Sequence, residues 1–176
     1  MRTLVVGVGN EDRGDDGLGP VAARLLAEAV AARRPGGRAD ASAGPPRAGA
    51  SGDPAAPCLE IVDWTGDPLG LLDRWVGYDR LVLIDAVVAG DAPGTTRRYG
   101  PDAPFARAAV ASTHGLGLAE ALALGRSLGR LPGRIDVWGI EAVEFAPGAP
   151  MTPAVAEAVL GLVARLGEEF DGPTSA

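Results

Sequence analysis

The chain has 176 residues, a formal net charge of −7 at pH 7 and 47% hydrophobic residues. This length suits one domain with a single buried core, and the apolar content excludes a disordered protein. The negative charge argues against a nucleic-acid groove, which needs clustered basic residues. No apolar run approaches the roughly 20 residues that cross a bilayer. We therefore expect a cytoplasmic protein with no nucleic-acid or membrane partner.

The scarcity of cysteine and histidine limits the possible chemistry. Cys58 is the one cysteine and His114 the one histidine, which excludes an internal disulfide, a CxxC motif and a site with several imidazoles. A bound metal ion would therefore need carboxylates for most of its ligands.

The first predicted elements are a strand and a helix. Residues 4–8 form a continuously apolar run that ends at a Gly-rich turn, which is typical of a buried parallel strand. Residues 17–34 have apolar side chains at helical spacing, with Pro20 in the first turn. Residues 36–57 are rich in Ala, Gly, Pro, Ser and Arg without apolar periodicity, which predicts a flexible insertion within a single domain that spans 1–176.

Beyond the insertion, predicted strands and helices alternate. We expect strands at 59–63, 80–86, 95–99 and 135–140, the third of these at a sheet edge, and helices at 69–76, 115–128 and 153–170. This alternation predicts an α/β domain, a three-layer α/β/α sandwich with a mainly parallel sheet of roughly five strands. Ligands in such folds bind at the carboxyl ends of the strands, so polar residues there are candidates for the site.

The segment at 7–19, GVGNEDRGDDGLG, joins the first strand to the first helix. Such a turn can hold a pyrophosphate, but Asp12 stands where the dinucleotide fingerprint has its third glycine. The four acidic residues of the segment would also repel phosphate. Asp15 and Asp16 could cap the helix, or a carboxylate could bind a metal ion. These alternatives stay open on the residues alone.

Two further candidates are Asp85 and His114. Asp85 follows four apolar residues of a predicted strand, where a charge is costly unless it is hydrogen-bonded, paired or bound to metal. His114 precedes a predicted helix, where a structural role competes with a functional one. Asp16, Asp85 and His114 together offer two carboxylates and an imidazole, a set that suits nickel or zinc with open coordination positions.

Other polar residues are weaker candidates. Cys58 and His114 could form a nucleophilic pair, but Cys58 borders the predicted insertion. Asp63 ends the second strand, and we expect it in the same neighbourhood as Asp85. Glu141 and Glu144 follow the last strand, and a solvated loop is expected for both.

Four blocks of the sequence resemble, in order, the hydrogenase maturation endopeptidases. They are VVGVGNEDRGDDGLGPVAARLL, LVLIDAVVAGDAPGT, STHGLGLAEALALGRSLGRLP and IDVWGIEAVEFAPGAPMTPAVAEAV. The chain departs from that family at residues 63–66, where Asp-Trp-Thr-Gly replaces the usual Asp-Gly-Gly-Thr, and in its longer insertion. The family often has a glutamate where Asp16 stands, and either carboxylate can bind metal.

This resemblance implies that Asp16, Asp85 and His114 form the catalytic and nickel-recognition site of an endopeptidase. Members of that family remove a C-terminal extension from the large-subunit precursor of a [NiFe] hydrogenase once nickel has been inserted. The nickel would thus be recognised on the substrate. Hydrolysis would be a metal-assisted attack of water on a peptide carbonyl. Two other classes stay open, a non-catalytic metal-binding or chaperone-like assembly partner and a dinucleotide-binding protein.

Deletion of residues 38–57 should change the melting temperature little, because the segment lacks apolar residues at core spacing. Thermal unfolding of the shortened and the full chain measures the effect. A drop of more than about 10 °C would show that the segment contains a packed element.

Overall fold

The structure, a computed structural model, describes residues 1–33, 58–65, 67–100 and 115–171. Five strands and four helices lie in these ranges: β1 (Arg2–Val8), α1 (Leu18–Arg33), β2 (Cys58–Trp64), α2 (Leu71–Arg74), β3 (Arg80–Val87), β4 (Thr96–Tyr99), α3 (Gly115–Ser127), β5 (Arg134–Glu141) and α4 (Pro153–Asp171). Short 3₁₀ turns at Gly14–Gly17 and Pro68–Gly70 precede α1 and α2. The predicted order and type of elements are confirmed, whereas the predicted insertion at 36–57 lies outside the described residues.

The strands form one sheet with the order β2-β1-β3-β5-β4. The pairs β1–β2, β1–β3 and β3–β5 are parallel, and β4 runs antiparallel to β5 at the edge. Every residue of β3 is buried, which explains its near-continuous apolar sequence. The edge strand β4 is largely exposed and carries two arginines, which protect an edge from further pairing. The mainly parallel five-stranded sheet is therefore confirmed.

A hydrophobic core covers each face of the sheet. One core joins alternate residues of β1, β3 and β5 to α2 and α3, and includes Leu4, Val6, Leu83, Trp75 and Leu118. The other core joins the intervening strand residues to α1 and α4, and includes Val5, Ile84, Leu26, Val159 and Leu162. The side chains of a strand alternate between the two faces, so both sides of each central strand contribute apolar area. These layers confirm the three-layer α/β/α sandwich.

The predicted helix at 69–76 differs most from the structure, which has a 3₁₀ turn followed by the four-residue α2. Trp75 is fully buried directly after α2, and its N–H donates to the Leu71 carbonyl oxygen at 3.2 Å. Gly77, with φ 83°, then turns the chain toward β3. The helical pattern is thus real but ends early, because the chain must reach the start of β3.

A buried ion cluster lies at the amino ends of β3 and β5. Arg80, 3% exposed, contacts Asp136 at 2.6 Å and Glu169 at 2.7 Å, and Arg98 also pairs with Asp136. Burial alone would raise the pKa of Asp136, but the hydrogen bonds from Arg98 and Arg80 hold that pKa below its ordinary value. The cluster stabilises the sheet at the edge opposite the strand carboxyl ends.

Helix α1 begins in direct contact with the sheet backbone. A Cβ at Gly19 would lie 2.1 Å from the carbonyl oxygen of Val8 and 2.7 Å from that of Ile84. No side chain larger than hydrogen fits at these distances. The glycine therefore sets how closely the turn before α1 approaches β1 and β3. None of the helices within the described ranges is long and apolar enough to cross a membrane.

Replacement of Gly19 by Ala should lower the free energy of unfolding by about 3 kcal/mol, because the new methyl group would push α1 away from β1 and β3. Gly161, in the middle of α4, serves as the matched control, since a methyl group added there would have no atom within 4 Å. Gly161→Ala should instead stabilise the protein by about 0.5–1 kcal/mol. Urea unfolding of both variants measures this contrast, and equal stabilities would contradict it.

Candidate active site

Two of the predicted site residues meet at the carboxyl edge of the sheet. Asp85 lies near the end of β3 and is fully buried, and Asp16 lies in the turn that follows β1 and is 1% exposed. Strands β1 and β3 are neighbours, with Gly7 opposite Ile84. The charge of Asp16 acts on the carboxyl group of Asp85 and raises its pKa. The structure therefore places the two carboxylates close enough for the charge of Asp16 to affect the pKa of Asp85.

Backbone contacts hold the turn that contains Asp16. Its carbonyl oxygen accepts the Asn10 N–H at 3.2 Å, and its own N–H donates to the Arg13 carbonyl oxygen at 3.1 Å. The Asn10 side chain accepts the Asp12 N–H at 2.9 Å, as in an Asx turn. Gly9 has φ 143°, and a Cβ there would lie 1.9 Å from the Asp16 carbonyl oxygen. The glycines and the asparagine of this segment thus position a carboxylate.

Hydrogen bonds offset only part of the free-energy cost of burying the Asp85 carboxylate. Its Oδ1 accepts the Ala86 N–H at 2.8 Å, while Oδ2 is buried with no hydrogen-bond partner among the described residues. Burial raises the pKa of Asp85 well above its ordinary value; the Ala86 N–H opposes this and the Asp16 charge adds to it. A buried carboxylate oxygen of this kind is costly for folding, and it is a suitable ligand for a divalent cation.

The third predicted site residue, His114, lies outside the described residues. Within the ranges that the structure describes, no three His, Cys, Asp or Glu side chains form a group that could hold a metal ion. Of the predicted set, the structure thus describes Asp16 and Asp85, both of them buried. The contribution of His114 stays a prediction from the sequence.

Asp15, next to Asp16, has a different role from the one expected. It is fully buried, and its Oδ2 accepts the N–H groups of Val143 and Glu144, each at 3.0 Å. Its Oδ1 accepts the Thr152 N–H at 2.7 Å. The helix-capping interpretation is therefore wrong for Asp15, which binds the segment between β5 and α4. The adjacent pair Asp15-Asp16 was the sequence signal that two aspartates have different roles here. Neighbouring side chains of a 3₁₀ turn point in different directions, so the two carboxylates contact different parts of the fold.

Glu141 also departs from the prediction. It lies in β5, is 3% exposed, and accepts the N–H groups of Ala89, at 2.9 and 3.0 Å, and of Gly90, at 2.9 Å. The solvated-loop interpretation is wrong for this residue, which instead holds the loop after β3. Glu144 is half-buried, and its carboxylate accepts the Ala146 N–H at 2.8 Å.

Asp63 lies at the same carboxyl edge of the sheet as Asp85, whereas Cys58 lies at the opposite edge. Asp63 is exposed, and since its neighbours Val62 and Trp64 pack on the core of α2 and α3, its side chain faces α1. Leu83 and Val87 lie two residues before and after Asp85 and belong to the α2–α3 core, so the side chain of Asp85 faces the opposite side of the sheet from that of Asp63, and β1 lies between their strands. Cys58 is exposed and begins β2, so it lies at the amino edge of the sheet. A cysteine nucleophile at the carboxyl edge is therefore not supported.

A family model and one sequence relative show which family the chain resembles. The family model HycI, hydrogenase maturation protease, matches residues 54–169. The hydrogenase expression/formation protein HupD of Thiocapsa roseopersicina is 33% identical over 104 residues, which cover 57% of this chain and 47% of HupD. The match therefore spans about half the length of that relative.

Solved structures of similar fold come from the same family. The hydrogenase maturating endopeptidase HybD from Escherichia coli has a TM-score of 0.72 and 24% identity, with 97% of this chain and 93% of that chain covered. The [NiFe] hydrogenase maturation protease HybD from Thermococcus kodakarensis has a TM-score of 0.65 and 24% identity, with 98% and 100% covered. At this identity the likeness establishes the fold.

The fold and the site define an α/β/α protein with two buried carboxylates at the carboxyl edge of a mainly parallel sheet. Because the family model matches more than half of its residues, the chain belongs to the hydrogenase maturation protease family. This finding confirms the family resemblance seen in the sequence.

Replacement of Asp85 by Asn should raise the melting temperature at about pH 7. The raised pKa of Asp85 means that folding opposes its ionisation, so the wild type loses stability as the pH rises from the unfolded pKa of about 4 to the folded pKa. Asn does not ionise and can still accept the Ala86 N–H. Melting curves of both proteins between about pH 4 and pH 8 measure the difference. A lower melting temperature for the variant would show that the ionised carboxylate has a stabilising partner.

Proposed function

We propose that this protein is an endopeptidase that removes the C-terminal extension of the nickel-loaded large-subunit precursor of a [NiFe] hydrogenase. The buried pair of Asp16 and Asp85 carries the proposal, in a chain that belongs to the hydrogenase maturation proteases. The relative from T. kodakarensis is a maturation protease of a [NiFe] hydrogenase, which supports this class of substrate. A cytoplasmic location is part of the same proposal.

Nickel enters this proposal as part of the substrate. Asp16, Asp85 and His114 would recognise it, since carboxylate oxygen and imidazole nitrogen are suitable nickel ligands. The buried carboxylate of Asp85, with only one of its oxygens hydrogen-bonded among the described residues, supports a role as a nickel ligand. Its Oδ2 has no hydrogen-bond partner among the described residues, and a cation next to it would offset the cost of burying the charge. A site of this kind discriminates between loaded and empty precursor through the charge of the ion.

The chemical step adds water across a peptide bond. The water oxygen bonds to the scissile carbonyl carbon, the C–N bond breaks, and the leaving nitrogen takes up a proton. Asp16, Asp85 and His114 would hold the nickel of the substrate near this carbonyl, where the ion would polarise it or orient the water. The role of the protein is to hold the ion and the peptide in one place, which makes the reaction effectively intramolecular.

Replacement of Asp16, Asp85 or His114 by Ala should abolish precursor processing, because each removes a ligand from the recognition site. The measurement is the intact mass of a nickel-loaded large-subunit precursor after incubation with each variant. Glu11→Ala is the matched control: Glu11 lies in the same loop, but its ion pair with Arg24 is exposed at 2.8 Å and contributes little.

Three outcomes of this experiment would change the proposal. Normal processing by all three variants would reject the site. No processing by the wild type would favour the non-catalytic assembly partner. Cleavage of nickel-free precursor at the same rate would contradict recognition of nickel.

A further inference from the structure

The 3₁₀ turn that contains Asp15 and Asp16 is docked on the segment 143–152, which connects β5 to α4. Three backbone hydrogen bonds join residues 12–15 to this segment: Asp15 N–H to Glu144 O at 2.8 Å, Gly14 N–H to Ala149 O at 3.1 Å and Gly148 N–H to Asp12 O at 2.7 Å. The Asp15 side chain adds three more, to the N–H groups of Val143, Glu144 and Thr152. One buried carboxylate thus accepts three of the hydrogen bonds between the two segments.

These contacts belong to a continuous series of hydrogen bonds and chain segments that connects Asp16 to Asp85. Asp85 pairs with Gly139 in the ladder of β3 and β5. Just beyond the ladder, the Ala142 N–H donates to the Val87 carbonyl oxygen at 2.9 Å. The next residues of the chain are the ones that Asp15 binds, and Asp16 follows Asp15 directly. A displacement of the 143–152 segment would therefore move Asp16 relative to Asp85.

We propose that Asp15 is a positioning residue, which fixes Asp16 against Asp85 by binding the 143–152 segment and does not itself contact the substrate. The catalytic consequence rests on the proposed function of this site. The surroundings of Asp15 suit a carboxylate better than an amide. Its oxygens accept bonds from three N–H donors at a fully buried site, and a neutral amide has one oxygen and an N–H₂ group that would face a donor.

Asp136 provides the control for a purely structural role. It is also a buried aspartate with several partners, but it lies in the ion cluster at the amino edge of the same sheet. Asp15→Asn and Asp136→Asn are both expected to lower the melting temperature, since each weakens buried charge-assisted bonds. Stability alone therefore does not distinguish the two positions.

The test compares the two variants in precursor processing at a temperature where both are folded. Asp15→Asn should lower kcat at least about tenfold and leave KM within about threefold, because misplacement of a reacting group slows the chemical step. Asp136→Asn should leave both constants close to wild type. Unchanged kcat in Asp15→Asn, or equal losses in both variants, would overturn the proposal.

An NMR measurement tests the positioning without any substrate. The Ala86 amide donates to Asp85 Oδ1, so its chemical shift reports on the environment of Asp85. Asp15→Asn should change that shift and speed hydrogen exchange at Val143, Glu144 and Thr152, whereas Asp136→Asn should do neither. An unchanged Ala86 shift would contradict the path from Asp15 to Asp85. If Asp15→Asn does not fold, Asp15→Ser, which keeps one acceptor and leaves room for water, replaces it.

The two measurements also separate this proposal from the proposed function. A changed Ala86 shift together with a wild type that leaves the loaded precursor uncut would reject the protease activity while the positioning of Asp16 stands. Normal cleavage by the wild type and by Asp15→Asn, with the Ala86 shift unchanged, would reject the positioning role alone.

Discussion

The close approach of α1 to the sheet determines the arrangement of the carboxyl edge. Gly19 lies against the carbonyl oxygens of Val8 and Ile84 at distances that exclude any Cβ. Because α1 starts so close to β1 and β3, the preceding turn has no space to extend outward and instead lies over the strand ends. That turn contains Asp16, and β3 contributes Asp85. The position of Asp16 near the strand ends therefore depends on this backbone contact between a glycine and two carbonyl groups.

Buried carboxylates surround this edge, and they differ in how their charge is compensated. Asp15 and Glu141 accept backbone N–H groups with both oxygens and thereby hold loops. Asp85 has one such bond, and its raised pKa reflects burial together with the charge of Asp16. Well-compensated carboxylates stabilise the fold, whereas an incompletely compensated one costs stability and is available to a cation. Carboxylates near the same edge of the sheet thus differ in how far hydrogen bonds offset the cost of their burial.

The sequence allowed much of the fold to be predicted, because its apolar periodicity is strong in the central elements of the sheet. The continuously apolar strand at 80–86 and the alternation of strands with long helices were sufficient for the layers and for the edge position of β4. The roles of Asp15 and Glu141 were not predictable in the same way. Asp15 binds N–H groups 128 to 137 positions away in the chain, and no local pattern reports such contacts.

From its residues alone, the chain could be assigned its fold class, its family resemblance and the two carboxylates of its candidate site. These follow from local patterns, since periodicity and Gly-rich turns are read over a few residues. The tertiary structure was needed to show which of the adjacent aspartates acts on Asp85 and which binds the 143–152 segment. Those assignments depend on the contact between a turn after β1 and a segment after β5, and on burial, which only a folded chain produces.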